Sequence, residues 1–417
     1  MTHSCTRRRT GALTVAAAGM LLLPVASATV FGAQSPTVVT VTAPHTPSAS
    51  PSTPSAYLRE FRELTPAVTR QLDEAVRRVM REAHVPGVTV GLWTPGRSGY
   101  VRSFGTADKD GGRRMSPDLR MRIGSETKTF TVTALLKLVD QGKVRLDDPI
   151  RTYVAGVPGG DTVTLRQLAG MRSGLFNYSD DKDFRRALAS DPWRPFTPQQ
   201  LLRYSFRHPV RFPPGQGYDY SNTNAVLLGL VVEKAGGRPL GDFLHKTVLA
   251  PAGLTHTYFP AGAAFPAPHA RGYTDRTADG KVEDAADWNP SWAWAAGAMI
   301  SDLRDLRVWA RTVATGTLPD GTALLSPATQ RQRLTMPATT IRGTGYGLGL
   351  FDVQGWIGHN GSLPGYESLT VHLPSAHATL VVLLNTDVHH GGRQPSTRFG
   401  EAITKIVTPG HVFALRP

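Results

Sequence analysis

The sequence predicts an α/β (α+β) protein: an antiparallel sheet flanked by N- and C-terminal helices, with an all-helical lobe inserted between its parts. Three observations carry this. Strand-like apolar runs lie only toward the two ends of the folded part, at 87–93 and 100–105 and again between 346 and 384. Between about 125 and 275 the apolar residues recur at helical spacing, with long loops. Helical patterns also precede the first strands and follow the last ones.

The N-terminus comes first. Arg7, Arg8 and Arg9 precede a small, apolar run at 11–25, and Ala26-Ser27-Ala28 offers a cleavage site, so residues 1–28 read as a secretory signal peptide. The expected location is secreted or cell-wall associated. The single cysteine, Cys5, falls in that segment. The mature chain would then have no disulfide and would depend on its hydrophobic core. Residues 29–56 are rich in Thr, Ser and Pro and too poor in large apolar side chains to offset their ordering entropy, so a disordered tether is expected. The remainder, 57–410, is expected to form one domain. Its α/β lobe takes about 57–115 and 280–410, and its helical lobe about 116–279, with a cleft between them.

Within that domain, Thr65-Pro66 opens a helix whose apolar positions are Val68, Leu72, Val76, Val79 and Met80. Two strands follow, separated by a Pro/Gly turn. A helix beginning at Ser125 carries Phe130, Val132, Ala134, Leu135, Leu138 and Val139 and stops at Gly142. Further helices are expected at 225–235, before Gly236-Gly237, at 240–248 and at 303–312. Strands at 346–353, 356–359, 367–373 and 379–384 form a meander, and a last helix spans 396–407.

The net charge is +14, but the charges are scattered and no Lys/Arg run follows the signal segment. That argues against nucleic-acid binding and makes an anionic cell-wall polymer a candidate partner through non-specific electrostatics. The sequence holds no His-Glu-x-x-His pair, no phosphate loop ending in Gly-Lys and no Gly-x-Ser-x-Gly elbow.

The chemistry starts at Ser125-Glu126-Thr127-Lys128. Residues three apart on a helix are neighbours, so the Lys128 amine can lie beside the Ser125 hydroxyl. A desolvated lysine loses proton affinity and can take the serine's proton, turning a poor nucleophile into a good one. Tyr220-Ser221-Asn222 follows Pro213-Pro214-Gly215 in a loop ahead of a helix. Tyr220 can shuttle protons if a neighbouring cation lowers its pKa, and Asn222 can donate to a substrate amide. His359-Asn360-Gly361-Ser362 ends a strand, where glycine lets a ligand approach the backbone. His359 supplies a donor and, with titration expected near neutrality, a positive charge at lower pH. The backbone N–H groups of Ser125 and Ser362 can form an oxyanion hole.

These three motifs, in this order and spacing, resemble those of the penicillin-recognising serine hydrolases (the serine β-lactamase/penicillin-binding protein superfamily). The resemblance is to the branch with actinomycete-type D-alanyl-D-alanine carboxypeptidases, class C β-lactamases and related esterases. It extends to Ser221-Asn222-Thr223-Asn224, Ala295-Ala296-Gly297-Ala298-Met299-Ile300-Ser301 and Gly345-Tyr346-Gly347-Leu348-Gly349-Leu350, and covers about 66–407. It implies a β-lactamase/transpeptidase-like fold and an acyl-enzyme mechanism without metal or cofactor. Ser125 is then the nucleophile, and Lys128 and Tyr220 share the acid–base work, their order left open. Asn222, Trp292, His359, Asn360 and Ser362 contact substrate. The implied activity is an exported serine DD-peptidase on peptidoglycan stem peptides, acylated by β-lactams and expected to be a monomer. The alternative is an esterase, D-amino-acid amidase or β-lactamase with the same site. Histidine rather than lysine in the third motif resembles the carboxypeptidases. Two positions depart from them: Asn360 stands where they carry Thr, and Phe351 where they carry the arginine that holds a terminal carboxylate.

Overall fold

In the computed structural model, residues 60–96, 98–390 and 392–415 are described, all within one unit spanning 52–417. The expected signal peptide (1–28), with Cys5, and the tether (29–56) lie outside the described residues. The long helices are α1 (Pro66–Glu82), α2 (Thr127–Asp140), α3 (Asn222–Gly236), α4 (Leu303–Thr315) and α5 (Pro395–Val407). Helix α1 starts where the sequence places it: Val68 N–H donates to Thr65 Oγ1 at 3.3 Å, and Pro66 occupies the first turn, where its missing N–H costs nothing.

Seven strands form the main sheet: β1 (Gly87–Trp93), β2 (Tyr100–Gly105), β3 (Thr344–Tyr346), β4 (Phe351–Val353), β5 (Trp356–Leu363), β6 (Tyr366–Leu373) and β7 (Ala378–Leu384). Their order is β2-β1-β7-β6-β5-β4-β3, every pairing antiparallel. The last strand therefore stitches the first hairpin to the C-terminal meander, with Val88 opposite Leu384 and Leu369 opposite Val382.

Period-two alternation divides the core across this sheet. Leu380, Val382 and Leu384 of β7 join Val76 of α1 and Phe399 and Ile403 of α5 on one face. Val381 and Leu383 join α2, α3 and α4 on the other. Both faces of β7 are buried, which explains its unbroken apolar sequence. Truncating Leu380 to Ala would cost about 2–5 kcal/mol, the usual range for a buried leucine.

Two expectations about elements change. Residues 346–353 form two strands, because Gly347 N–H turns back to the Leu350 carbonyl at 2.8 Å and Gly349 adopts φ +71. The strand expected at 356–359 runs on to Leu363, carrying the whole third motif. Helix α2 is buried on nearly every side, its buried threonines satisfied by hydrogen bonds such as that from Thr131 Oγ1 to the Ala295 carbonyl at 2.8 Å. Its N-terminus is thereby fixed against β5, which positions the site. Among the described residues no helix is long and apolar enough to cross a membrane.

Candidate active site

Ser125 lies in a short 3-10 turn, Gly124–Glu126, that feeds α2 rather than in the α-helix itself. Gly124 takes φ +51, and a Cβ there would sit 2.6 Å from the Ser362 nitrogen. A Cβ on Gly361 would sit 1.9 Å from the Ile123 oxygen. Two glycines therefore let the nucleophile turn and β5 touch backbone to backbone, a contact the Gly361 of the third motif makes legible. This closeness brings the Ser125 and Ser362 main chains to one place.

Lys128 is fully buried in the first turn of α2. Its Nζ lies 2.9 Å from Ser125 Oγ and donates to the Ala296 carbonyl oxygen at 2.8 Å. Burial holds its pKa well below the ordinary lysine value, and no carboxylate offsets this. The ammonium form is disfavoured because nothing replaces its hydration.

Tyr220 comes from the loop before α3, with its ring centroid 4.8 Å from Lys128 Nζ. Its hydroxyl is buried, and burial pushes its phenol far up, offset only in part by Ser125. The lowered tyrosine pKa expected from a neighbouring cation is thus corrected: desolvation dominates, and only the hydrogen bond to Ser125 works against it.

His359 is buried too. Its Nε2 lies 3.2 Å from the Tyr346 hydroxyl and its Nδ1 2.6 Å from the Asn360 carbonyl oxygen. Burial, followed by Lys128, pushes the imidazole from 6.5 down to about 3. The expected titration near neutrality is corrected on the same ground; His359 is a neutral imidazole at working pH. Glu126, inside the first motif, is 1 % exposed, and burial pushes its carboxyl up to about 8 despite the Ser368 and Thr370 hydroxyls. Burial thus disfavours the charged form of each of these groups around Ser125.

Two hollows meet at Ser362. The first, of about 380 Å³, is lined by Ser125, Tyr220, Tyr346, Phe351, His359 and Asn360 among others, and by no lysine or arginine. Phe351 packs on His359, ring centroids 5.1 Å apart. Asn360 Nδ2 donates to Gln394 Oε1 at 2.6 Å. The second hollow, of about 490 Å³, holds Asn222, Trp292, Asp180, Arg185 and Arg276. Asn222 opens α3 and its Nδ2 donates to Ser179 Oγ at 3.1 Å. Trp292 is 8 % exposed, and its carbonyl accepts from the Tyr178 hydroxyl at 2.7 Å. Arg276 pairs with buried Asp387 at 2.7 Å and donates to Ser362 Oγ at 3.2 Å.

The structure thus gathers Ser125, Lys128, Tyr220, His359, Asn360 and Ser362 around one cavity, and places Asn222 and Trp292 in the adjoining one. Four contributors escaped the sequence reading: Tyr346, Gln394, Arg276 and Glu126. Tyr346 and Glu126 stood inside motifs already singled out, but nothing local told that the Tyr346 hydroxyl meets His359 or that the Glu126 carboxyl is buried. Among the described residues no group of His, Cys, Asp and Glu is placed to hold a metal ion.

Comparison with known proteins places the chain in a family. The profile of the family described as Beta-lactamase matches residues 72–403. A D-stereospecific amidohydrolase from Streptomyces sp. is 33% identical, covering 77% of this chain and 94% of its own, with a TM-score of 0.67. The D-amino acid amidase from Ochrobactrum anthropi SV3, complexed with L-phenylalanine, is 28% identical, covering 82% and 97%, with a TM-score of 0.69. Protein flp of Staphylococcus aureus (strain N315) is 24% identical over 77% of this chain, which spans only 64% of that relative's length.

Proposed function

Starting from the chain's membership of the Beta-lactamase family of hydrolases, we propose that it is a serine amidohydrolase, cleaving amide or short peptide bonds on the carbonyl side of a D-configured residue. The observation that carries the reading is the buried Ser125–Lys128 pair at 2.9 Å. Its likeness to D-stereospecific and D-amino-acid amide hydrolases supports the substrate class.

A neutral amine has a lone pair for the Ser125 proton. As that proton moves to Lys128 Nζ, Ser125 Oγ bonds the substrate carbonyl carbon and the carbonyl oxygen takes up negative charge. The Ser125 and Ser362 N–H groups hold that oxyanion. Tyr220, which keeps its phenolic proton, passes one to the leaving nitrogen and regains one from Lys128, so the C–N bond breaks to a neutral amine and an acyl-enzyme. Water repeats the sequence in reverse roles. A β-lactam enters the same first step, its ring amide opening without releasing a fragment. The neutral His359 donates or accepts without adding charge, and Asn222 holds the acyl-side amide.

The leaving group enters the hollow at Phe351, an apolar wall that suits an amide or a neutral group better than a free carboxylate. The second reading is a D-alanyl-D-alanine carboxypeptidase acting on peptidoglycan stems. Arg276, the cation 3.2 Å from Ser362 Oγ, favours it by offering a partner for a substrate carboxylate. Export on residues 1–28 would place either activity outside the cell.

A fluorescent penicillin tests the shared mechanism: a covalent adduct on the wild type that vanishes in Ser125→Ala. An unlabelled wild type at every pH between about 5 and 9 sinks the acyl-enzyme reading. D-phenylalanine amide, its L-enantiomer, diacyl-Lys-D-Ala-D-Ala and nitrocefin, turned over in parallel, then rank the substrates. Preference for the L-amide removes the D-specific reading.

A further inference from the structure

A third hollow, of about 470 Å³, shares no lining residue with the two at Ser125. It lies where Trp93 at the end of β1, the three residues after it, and the β6–β7 hairpin (His372, His377, Thr379) meet the middle of α4 (Arg307, Arg311) and Pro319. Arg307 and Arg311 stand one turn apart on the same exposed helical face. Like charges at that spacing repel. Neither takes a carboxylate partner among the described residues. Asp320, the acid next to the lining Pro319, spends Oδ1 on the Thr322 N–H and hydroxyl at 2.9 and 2.7 Å.

The walls hold these cations in place. The Arg307 guanidinium lies 4.8 Å over the Trp93 ring, which fixes its plane. Burial alone lowers its proton affinity, with no acid raising it. Below Arg311 sits His372, 1 % exposed, its Nδ1 2.9 Å from Thr379 Oγ1. Burial, then His377 and Arg311, pushes it from 6.5 to about 3. It therefore adds no charge of its own while registering how close His377 and Arg311 come. The hollow is a concave, cationic pocket with an indole wall and no internal counter-charge.

We propose that this pocket binds a phosphate ester, its oxygens shared between the Arg307 and Arg311 guanidinium forks and its organic part against Trp93. Phosphate fits better than carboxylate because a monoester offers three terminal oxygens to two planar forks and the two terminal oxygens of a diester, spread tetrahedrally, can take one fork each, whereas the two coplanar oxygens of a carboxylate are filled by one. The source is either a small monoester or a polyol-phosphate diester polymer. The second would tether the catalytic unit to an anionic wall independently of what Ser125 hydrolyses.

The test titrates the full chain with glycerol 1-phosphate and with a short poly(glycerol phosphate), reading 31P line broadening at fixed ionic strength. Both, or the diester alone, are expected to saturate on the wild type. Arg307→Gln/Arg311→Gln should bind at least about tenfold more weakly, the loss of one or two charge-assisted contacts. Arg304→Gln, exposed on the same helix but outside the hollow, should bind like the wild type. Saturation by the monoester alone assigns the site to a small metabolite and removes the tether. Equal weakening by Arg304→Gln, full binding by the double variant, or displacement by acetate at equal concentration overturns the proposal. Penicillin labelling of Ser125 should be unchanged in both variants. That separates this site from the catalytic reading.

Discussion

Lys128 Nζ and Ser125 Oγ stand 2.9 Å apart, with the amine sealed from solvent and its other contact the Ala296 carbonyl at 2.8 Å. The pair needs no carboxylate. Desolvation, unopposed by any ion pair, favours the uncharged amine. Lys128→Arg keeps the length and donors but cannot be deprotonated. The rate of penicillin adduct formation should fall by about 10²–10⁴-fold, the usual worth of a positioned base. A rate within about threefold of wild type would move the base role to Tyr220.

Tyr220, by contrast, stays protonated and is placed to donate. An amide needs its leaving nitrogen protonated, whereas p-nitrophenolate leaves without help. Tyr220→Phe should therefore cut turnover of a D-amino-acid amide by about 10²-fold or more and affect a p-nitrophenyl ester far less. Equal losses on both substrates would show that the phenol acts before the leaving step.

Glu126 contributes a pH dependence of stability. Burial raises its carboxyl from 4.5 to about 8, so the folded chain holds a proton that the unfolded chain releases above pH 4.5. Stability then falls as pH rises through that window and levels off beyond about 8. Glu126→Gln imitates the protonated acid. Its melting temperature should match the wild type near pH 4 and exceed it by a few degrees near pH 9. A gain of the same size at both pH values contradicts the shift.

His359 behaves in the opposite sense. Its pKa falls on folding from 6.5 to about 3, so the unfolded chain binds the extra proton and stability is lost as pH drops from 6.5 toward 3. His359→Gln should flatten that acid loss, read as melting temperature against pH. The kcat/KM profile of the wild type should show no His359 step between about pH 5 and 8. Tyr346→Phe, which removes the hydroxyl 3.2 Å from Nε2, should cost about 1 kcal/mol and loosen His359 without moving that profile.

The parts of this site that were legible are those written within a few residues. Ser125 and Lys128 share a helical turn, Tyr220 and Asn222 share a loop, and His359 to Ser362 share a strand, so spacing alone places each set. The fold followed from periodicity for the same reason, and failed where a turn broke it, at 347–350. The illegible parts depend on what packs from elsewhere. Arg276 reaches Ser362 across 86 residues and Gln394 reaches Asn360 across 34. The charge states of Lys128, Tyr220, His359 and Glu126 are set by burial, which no motif prints. The same four side chains in an open cleft would titrate near their ordinary values.

Phe351 offers the sharpest test of substrate. It is 5 % exposed and packs at a tilt against His359, centroids 5.1 Å apart, in a hollow without lysine or arginine. A substrate ending in a free carboxylate must bury that charge against an aromatic face, whereas a primary amide brings none. Phe351→Arg puts a guanidinium at the wall, and a bidentate pair with a carboxylate is worth about 1.5–3 kcal/mol. The ratio of kcat/KM for diacyl-Lys-D-Ala-D-Ala over D-phenylalanine amide should rise by about tenfold or more, chiefly through KM, with penicillin labelling retained. If the ratio stays put while labelling survives, the leaving group does not pass Phe351. The carboxylate would then have to be read by Arg276, and the carboxypeptidase reading would take first place.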